Sequence, residues 1–283
     1  MTFRRITIVG LGLIGGSLAG ACRRAFPRAQ IIGVTRNRRA LAIAKKRKWI
    51  HEGFTDLGKW GRFYLKNRTV PILVVLCTPV DTLKDFLRRL DRIAPPGTMV
   101  TDTGSVKGFL VRWADRRRWR RIRFVGAHPM AGSHERGIDH AEAGLFKRAV
   151  TFVTPGRKNR TVPMILNFWR KISGRVVLVS PEKHDRITAE ISHLPHLLAS
   201  LLVESVSSRS LPFRAAGFLD TTRVAASDPG LWTPILTENR RELKRALARF
   251  EKGLARVKRI LKKGDSRALA GILRRIQRRR TSL

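Results

Sequence analysis

Ile6-Thr7-Ile8-Val9-Gly10-Leu11-Gly12-Leu13-Ile14-Gly15-Gly16-Ser17 is the stretch on which the reading of this chain turns. Four β-prone residues run into glycines spaced GxGxxG, and a helical pattern follows near Leu18–Phe26. In a strand–turn–helix unit each glycine has its own task. Gly10 makes the tight turn, Gly12 lets the backbone approach a pyrophosphate, and Gly15 permits close packing of helix on strand. The helix N-terminus, at Leu13 and Ile14, then offers N–H groups and positive potential to phosphates. Gly10, Gly12, Leu13, Ile14 and Gly15 are therefore candidate dinucleotide-binding residues.

Working outward, β-rich runs at Ile6–Val9, Ile31–Val34, Ile72–Cys77, Met99–Asp102 and Phe124–Ala127 alternate with helical stretches near Ala40–Lys48, Asp81–Leu90 and Lys107–Trp113. That βαβα order predicts an α/β fold with a doubly wound parallel sheet, helices on both faces. Two later runs, Ala149–Val153 and Val176–Val179, are expected to extend the sheet. After Ser180 strand signals cease and helical patterns take over, broken near Leu211-Pro212 and Ser227-Asp228-Pro229. The expected division is a dinucleotide-binding (Rossmann) domain over 1–180 and an all-α substrate-binding and dimerisation domain over 181–283. In the second, Leu243, Leu247, Phe250, Leu254, Val257 and Leu261 recur every three or four residues and keep one helix face apolar. After Gly264-Asp265 a second stripe begins with Leu269, Ile272, Leu273 and Ile276. Such stripes serve either an intramolecular core or a dimer seam.

The 283 residues, 43% of them apolar, can bury a proper core. Two cysteines, Cys22 and Cys77, cannot form a disulfide framework and fit a reducing cytoplasm. No apolar run is long enough to span a bilayer, and the glycine turn interrupts the N-terminal run before a signal-peptide core can form. Charge is the unusual property: 59 Lys+Arg against 20 Asp+Glu give +39. Arg112–Arg123 holds seven arginines, and the last 44 residues hold seventeen Lys+Arg. Such a field attracts anions at long range. Aromatic–basic alternation, helix-turn-helix and zinc-finger signatures are all missing, so no specific nucleic-acid site is expected.

The second strand of a dinucleotide fold usually ends near an acidic residue that binds the adenosine ribose. Here Thr35, Arg36, Asn37 and Arg38 stand in that place, with no carboxylate. Arginines suit a 2′-phosphate, so Thr35, Arg36 and Arg38 join the cofactor set and the reading favours NADP over NAD. Thr78, directly after the Ile72–Cys77 run, completes that set.

Four further segments, with the glycine loop, resemble the prephenate (or arogenate) dehydrogenase family in order and spacing. They are Asp102-Thr103-Gly104-Ser105-Val106-Lys107, Gly126-Ala127-His128-Pro129-Met130-Ala131-Gly132-Ser133, Ser192-His193-Leu194-Pro195-His196, and Asp220-Thr221-Thr222-Arg223-Val224-Ala225 continuing through Ser227-Asp228-Pro229 to Trp232. The resemblance covers nearly the whole chain. It implies oxidative decarboxylation of a cyclohexadienol: hydride leaves the carbinol carbon, the hydroxyl proton goes to a base, and carbon dioxide departs as the ring aromatises. It implies His128 as the base, since a neutral imidazole can take that proton. Ser105 resembles the serine that hydrogen-bonds this histidine or the substrate hydroxyl, and reads equally well as an N-cap for a helix starting near Val106. Arg223 is the candidate for gripping a substrate carboxylate. His196 and Ser192 are expected to line the pocket and bond the pyruvyl end, with Trp232 part of its wall.

His184-Asp185 with His193 and His196 does not make a convincing metal set, and no metal is expected. The pair reads instead as the first turn of a helix, Asp185 favouring its dipole. The expected partners are a small-molecule substrate (prephenate, or arogenate as the alternative) and a second copy of the chain through its C-terminal helices. A basic nucleic-acid-associated protein on a nucleotide-binding fold is the competing reading from another class.

Overall fold

The computed structural model describes residues 3–66, 72–132, 135–157 and 159–282. Ser133, the last residue of the GAHPMAGS segment, lies outside the described residues. Two compact units divide the chain, Met1–Asn239 and Arg240–Leu283.

In the first unit the predicted alternation appears as β1 (Arg5–Val9), α1 (Leu13–Ala25), β2 (Gln30–Val34), α2 (Arg38–Lys46), β3 (Glu52–Phe54), α3 (Leu57–Lys66), β4 (Ile72–Leu76), α4 (Leu83–Ile93), β5 (Thr98–Asp102), α5 (Gly108–Asp115) and β6 (Ile122–Phe124). All six strands pair in parallel in the order β3-β2-β1-β4-β5-β6. The period-2 geometry of a strand sends alternate side chains to opposite faces. Ile6, Ile8, Ile31, Leu73 and Val75 accordingly join α1 in one core, with Leu18, Ala19 and Cys22. Val9, Ile32, Val34, Ile72, Val74 and Leu76 join Trp60 and Tyr64 of α3, Leu83, Leu87 and Leu90 of α4 and Leu110 of α5 in the other. Burial on both faces is why these strands read as continuous apolar runs. Each fully buried leucine contributes roughly 1.5–3 kcal/mol of transfer free energy. Thr7, the polar member of β1, is satisfied by Trp60 Nε1–H at 3.0 Å and the Tyr64 hydroxyl at 3.1 Å.

The expected single strand Phe124–Ala127 is in fact two. β6 ends the parallel sheet at Phe124, and β7 (Gly126–Pro129) opens a separate sheet. The runs at Ala149–Val153 and Val176–Val179 do not extend the first sheet. They become β8 (Val150–Thr154) and, after α6 (Val162–Arg170), β9 (Arg175–Leu178), in the order β7-β8-β9. β7 runs antiparallel to β8, with His128 opposite Phe152. An apolar run announces a strand but not its partners; pairing is a long-range choice.

The helical region begins where the strand signals stop, with α7 (Pro181–Thr188), a π-helical turn (Ala189–His193), α8 (Leu194–Ser205), α9 (Ala216–Thr222) and α10 (Pro229–Glu238). Asp228 caps α10 by accepting from the Gly230 N–H at 3.0 Å, which explains the break read at Ser227-Asp228-Pro229.

The second unit is α11 (Arg240–Lys263) and α12 (Ser266–Thr281). Gly264, at φ +64, makes the turn, and Asp265 caps α12 through the Ala268 N–H at 2.8 Å. Much of the apolar stripe is solvent-facing in the single chain: Phe250, Leu254, Leu261, Leu273 and Ile276 are all more than 40% exposed. Among the described residues no helix is long and apolar enough to cross a membrane.

Candidate active site

The strand order reverses between β1 and β4, and there the C-terminal strand ends open a crevice, the usual ligand position of such sheets. Gly10 follows β1 with φ +91, a conformation only glycine takes without strain, and Gly15 sits so close that an added Cβ would fall 1.8 Å from the Gly10 carbonyl oxygen. Gly12 differs: a Cβ there would meet nothing within 4 Å. It is also the N-cap of α1, with no side chain occupying the helix N-terminus. The loop therefore leaves a bare cradle beside free backbone N–H groups, which fits a pyrophosphate.

A cleft of about 750 Å³ runs from this cradle. Gly12, Leu13, Ile14 and Thr78 line it, with Ser105, His128, Ser192, Arg223 and Trp232. Of the candidate residues, Gly10 and Gly15 build the loop behind it. Thr35, Arg36 and Arg38 are not among the lining residues; they follow β2, where both arginines are exposed and Asn37 caps α2. His196 is buried one layer back, its ring stacked on Trp232 at 3.5 Å between centroids. The π-helical turn adds a residue to the helical ladder, and Ser192, carried on it, is the part that reaches the cleft.

His128 lies on β7, within the small sheet, not on the end of a parallel strand. Its Nδ1 is 2.9 Å from His184 Nε2, and His184 Nδ1 is 2.8 Å from Asp185 Oδ1. Asp185 also accepts the N–H groups of Lys107 at 2.8 Å and Gly108 at 2.8 Å. Sequence reasoning missed this chain. It assigned Asp185 to the first turn of its own helix, whereas the carboxylate caps α5, 77 residues earlier. The helix at the DTGSVK segment starts at Gly108 with Lys107 as N-cap, so Ser105 is not its cap. Ser105 makes no hydrogen bond to His128 among the described residues; it lines the cleft with its hydroxyl available.

A buried ion pair also went unread. Lys107 and Asp102, both fully buried, contact each other; Lys107 Nζ donates to the Ala127 carbonyl at 3.0 Å, and Asp102 accepts the Ala127 N–H at 3.0 Å. The pair thus ties the end of β5 to the residue preceding His128. Only its place in the quoted DTGSVK segment signalled it. Burial pushes Asp102 up and Lys107 down, and their mutual contact opposes both shifts.

Burial, then the neighbouring His184, Lys107 and His193, holds His128 well below the usual histidine range, so it is neutral at pH 7. Burial likewise lowers His184, and lowers His193 to about 4. Arg223, exposed at the cleft wall, has no acidic partner among the described residues. At the mouth Arg136 pairs with Asp228. Among the described residues no group of three or more His, Cys, Asp or Glu side chains is arranged to hold a metal.

A phosphate-ready glycine loop at the switch point of a doubly wound sheet, opening on a neutral histidine, defines the class: a dinucleotide-binding dehydrogenase. Residues 18–178 match the family model of the prephenate dehydrogenase nucleotide-binding domain, and residues 180–275 that of the prephenate dehydrogenase dimerization domain. The chain belongs to the prephenate dehydrogenase family. It is 34% identical over 267 residues to the prephenate dehydrogenase of Bacillus subtilis, covering 90% of this chain and 68% of the relative. The solved prephenate dehydrogenase of Aquifex aeolicus, in complex with hydroxyphenyl propionate and NAD+, is similar at 30% identity and a TM-score of 0.90, with 100% and 99% of the two chains covered. The arogenate dehydrogenase of Synechocystis is similar at 30% identity and a TM-score of 0.79, with 98% and 99% covered.

Proposed function

We propose that this enzyme converts prephenate to 4-hydroxyphenylpyruvate by oxidative decarboxylation, on the path to tyrosine, using NAD or NADP with a preference for NADP. The observation that carries the reading is that His128, neutral and with Nε2 unpartnered among the described residues, shares one cleft with the α1 N-terminus and the unpaired Arg223.

When bound, a nicotinamide dinucleotide would supply the hydride acceptor. The chain does the rest. Gly12, Leu13 and Ile14 would hold the pyrophosphate by backbone N–H groups and helix dipole. Arg36 and Arg38, exposed just after β2 with no carboxylate between them, would be placed to take a 2′-phosphate, and this supports the NADP preference. Arg223 binds a substrate carboxylate bidentately, and Ser192 bonds the pyruvyl end with His196 steadying the pocket behind Trp232. Trp232 walls off the ring. Ser105 bonds the ring hydroxyl, and His128 takes its proton at Nε2 as the carbon–hydrogen bond breaks.

On this reading residues 1–180 serve the cofactor, and residues 181–283 serve the substrate and a homodimer formed through the C-terminal helices. The free thiols of Cys22 and Cys77 agree with a cytoplasmic location. Arogenate is the second reading, supported by the likeness, at 30% identity over nearly the whole of both chains, to the arogenate dehydrogenase of Synechocystis. The deciding experiment is absorbance at 340 nm with prephenate and with arogenate, each with NAD and with NADP. Cofactor reduction identifies the better pairing; no reduction in all four mixtures by folded protein refutes the reading.

A further inference from the structure

His184 is buried with both ring nitrogens engaged, and its two partners do not leave its protonation state free. Asp185 is an acceptor on every side: Oδ1 receives the Lys107 N–H, Oδ2 receives the Gly108 N–H, and His184 Nδ1 lies 2.8 Å from Oδ1. Burial raises Asp185 above the ordinary aspartate value, and the N–H donors aimed at both oxygens, at the N-terminus of α5, oppose that rise and favour the carboxylate. The hydrogen between Asp185 and His184 must then sit on His184 Nδ1. A neutral imidazole carries one N–H, so His184 Nε2 has only a lone pair to offer. The contact of 2.9 Å between His184 Nε2 and His128 Nδ1 is a hydrogen bond only if His128 Nδ1 carries the hydrogen.

We propose that His184 and Asp185 are positioning residues that hold His128 as its Nδ1–H tautomer and leave the Nε2 lone pair facing the cleft. The role of that lone pair as the base rests on the proposed function; the tautomer itself does not. The backbone anchors of Asp185 also orient the chain, because they fix the carboxylate to α5 while β7 fixes His128. Substrate deprotonation then needs no prior proton shuffle: Nε2 takes the hydroxyl proton, and the imidazolium formed is met by His184 and, behind it, the Asp185 charge. The same logic, an acid setting the tautomer of a catalytic base, governs the Ser-His-Asp triad, here with a second imidazole interposed.

Two substitutions separate this from bulk packing. His184→Phe keeps an aromatic ring and removes the acceptor. His184→Gln returns an amide oxygen where Nε2 stood and an amide hydrogen for other contacts. Protein labelled with ¹⁵N-histidine, with the His128 signals assigned by their loss in His128→Gln, reports which nitrogen carries hydrogen. Wild type and His184→Gln should show His128 protonated at Nδ1 and bare at Nε2, and His184→Phe a mixture of tautomers. In the 340 nm assay His184→Phe should lose about 100-fold in kcat with KM little changed, the scale of a misdirected catalytic group. His184→Gln should recover most of that loss. A wild-type His128 protonated at Nε2, or a His184→Phe spectrum identical to wild type, overturns the proposal. So does a glutamine variant no better than phenylalanine. If His184→Phe does not fold, the nitrogen signals of wild type and His184→Gln still decide. If no substrate is turned over, the proposed function fails while those signals still settle the tautomer.

Discussion

On the proposed reading His128 and Arg223 divide the substrate chemistry, and each should fail in its own way. Replacing His128 with glutamine removes the base but keeps a polar side chain, so kcat should fall on the order of 10²–10⁴-fold. Cofactor affinity, measured by fluorescence titration, should be unchanged. Because the base works deprotonated and burial lowers His128 below 6.5, kcat/KM should stay level as pH falls through 6.5 and drop only at lower pH. An acid limb at or above 6.5 would contradict a buried base. Arg223→Ala should act mainly on KM, by roughly 10- to 100-fold, the loss of a charge-assisted hydrogen bond of about 1.5–3 kcal/mol. At this scale GAHPMAG and DTTR are local signals, and the residues they single out, His128 and Arg223, line one cleft. Asp185 had no such signal, because a side chain that caps a distant helix leaves no mark in its own neighbourhood.

The glycine loop and the β5–α5 corner carry the element-scale arguments. Gly15→Ala forces a Cβ against the Gly10 carbonyl and should destabilise the fold by about 1–3 kcal/mol in urea titrations. Gly12→Ala meets open space, so it should leave stability alone and raise the cofactor KM, because the methyl enters the pyrophosphate cradle. Equal stability losses in both would refute the division of roles. At the corner, Lys107→Met strands a fully buried Asp102 carboxylate and should cost about 3–5 kcal/mol. Its kcat should fall as well, since the pair anchors Ala127 beside His128. Strand and helix identities were mostly readable from periodicity. β7, β8 and β9 were misassigned because strand partners are chosen by contacts between distant segments.

For the whole molecule the dominant facts are charge and an uncovered apolar stripe. α11 leaves Leu254 45% and Leu261 60% exposed on a 24-residue helix, more apolar surface than a solvated helix needs. Residues 180–275 match a dimerization domain, and on the proposed reading a second copy of the chain covers that surface. Leu254→Glu with Leu261→Glu should shift sedimentation from dimer to monomer; a double variant that remains dimeric would remove the stripe from the interface. The net charge of +39 suits an anionic substrate arriving by electrostatic steering, an effect that salt should weaken.

GxGxxG after an apolar strand, alternation of short apolar runs with helices, and the helical tail were all local in the chain. Local periodicity and turn chemistry are dictated by neighbouring residues, so the doubly wound fold and its phosphate cradle could be read directly. The second sheet and the His128–His184–Asp185 chain, anchored on Lys107 and Gly108, join residues up to 78 positions apart, and the Asp102–Lys107 pair, five apart in sequence, is buried against Ala127 of the other sheet. Their existence depends on which surfaces pack together, and only folding brings two titratable groups close enough to choose each other's proton.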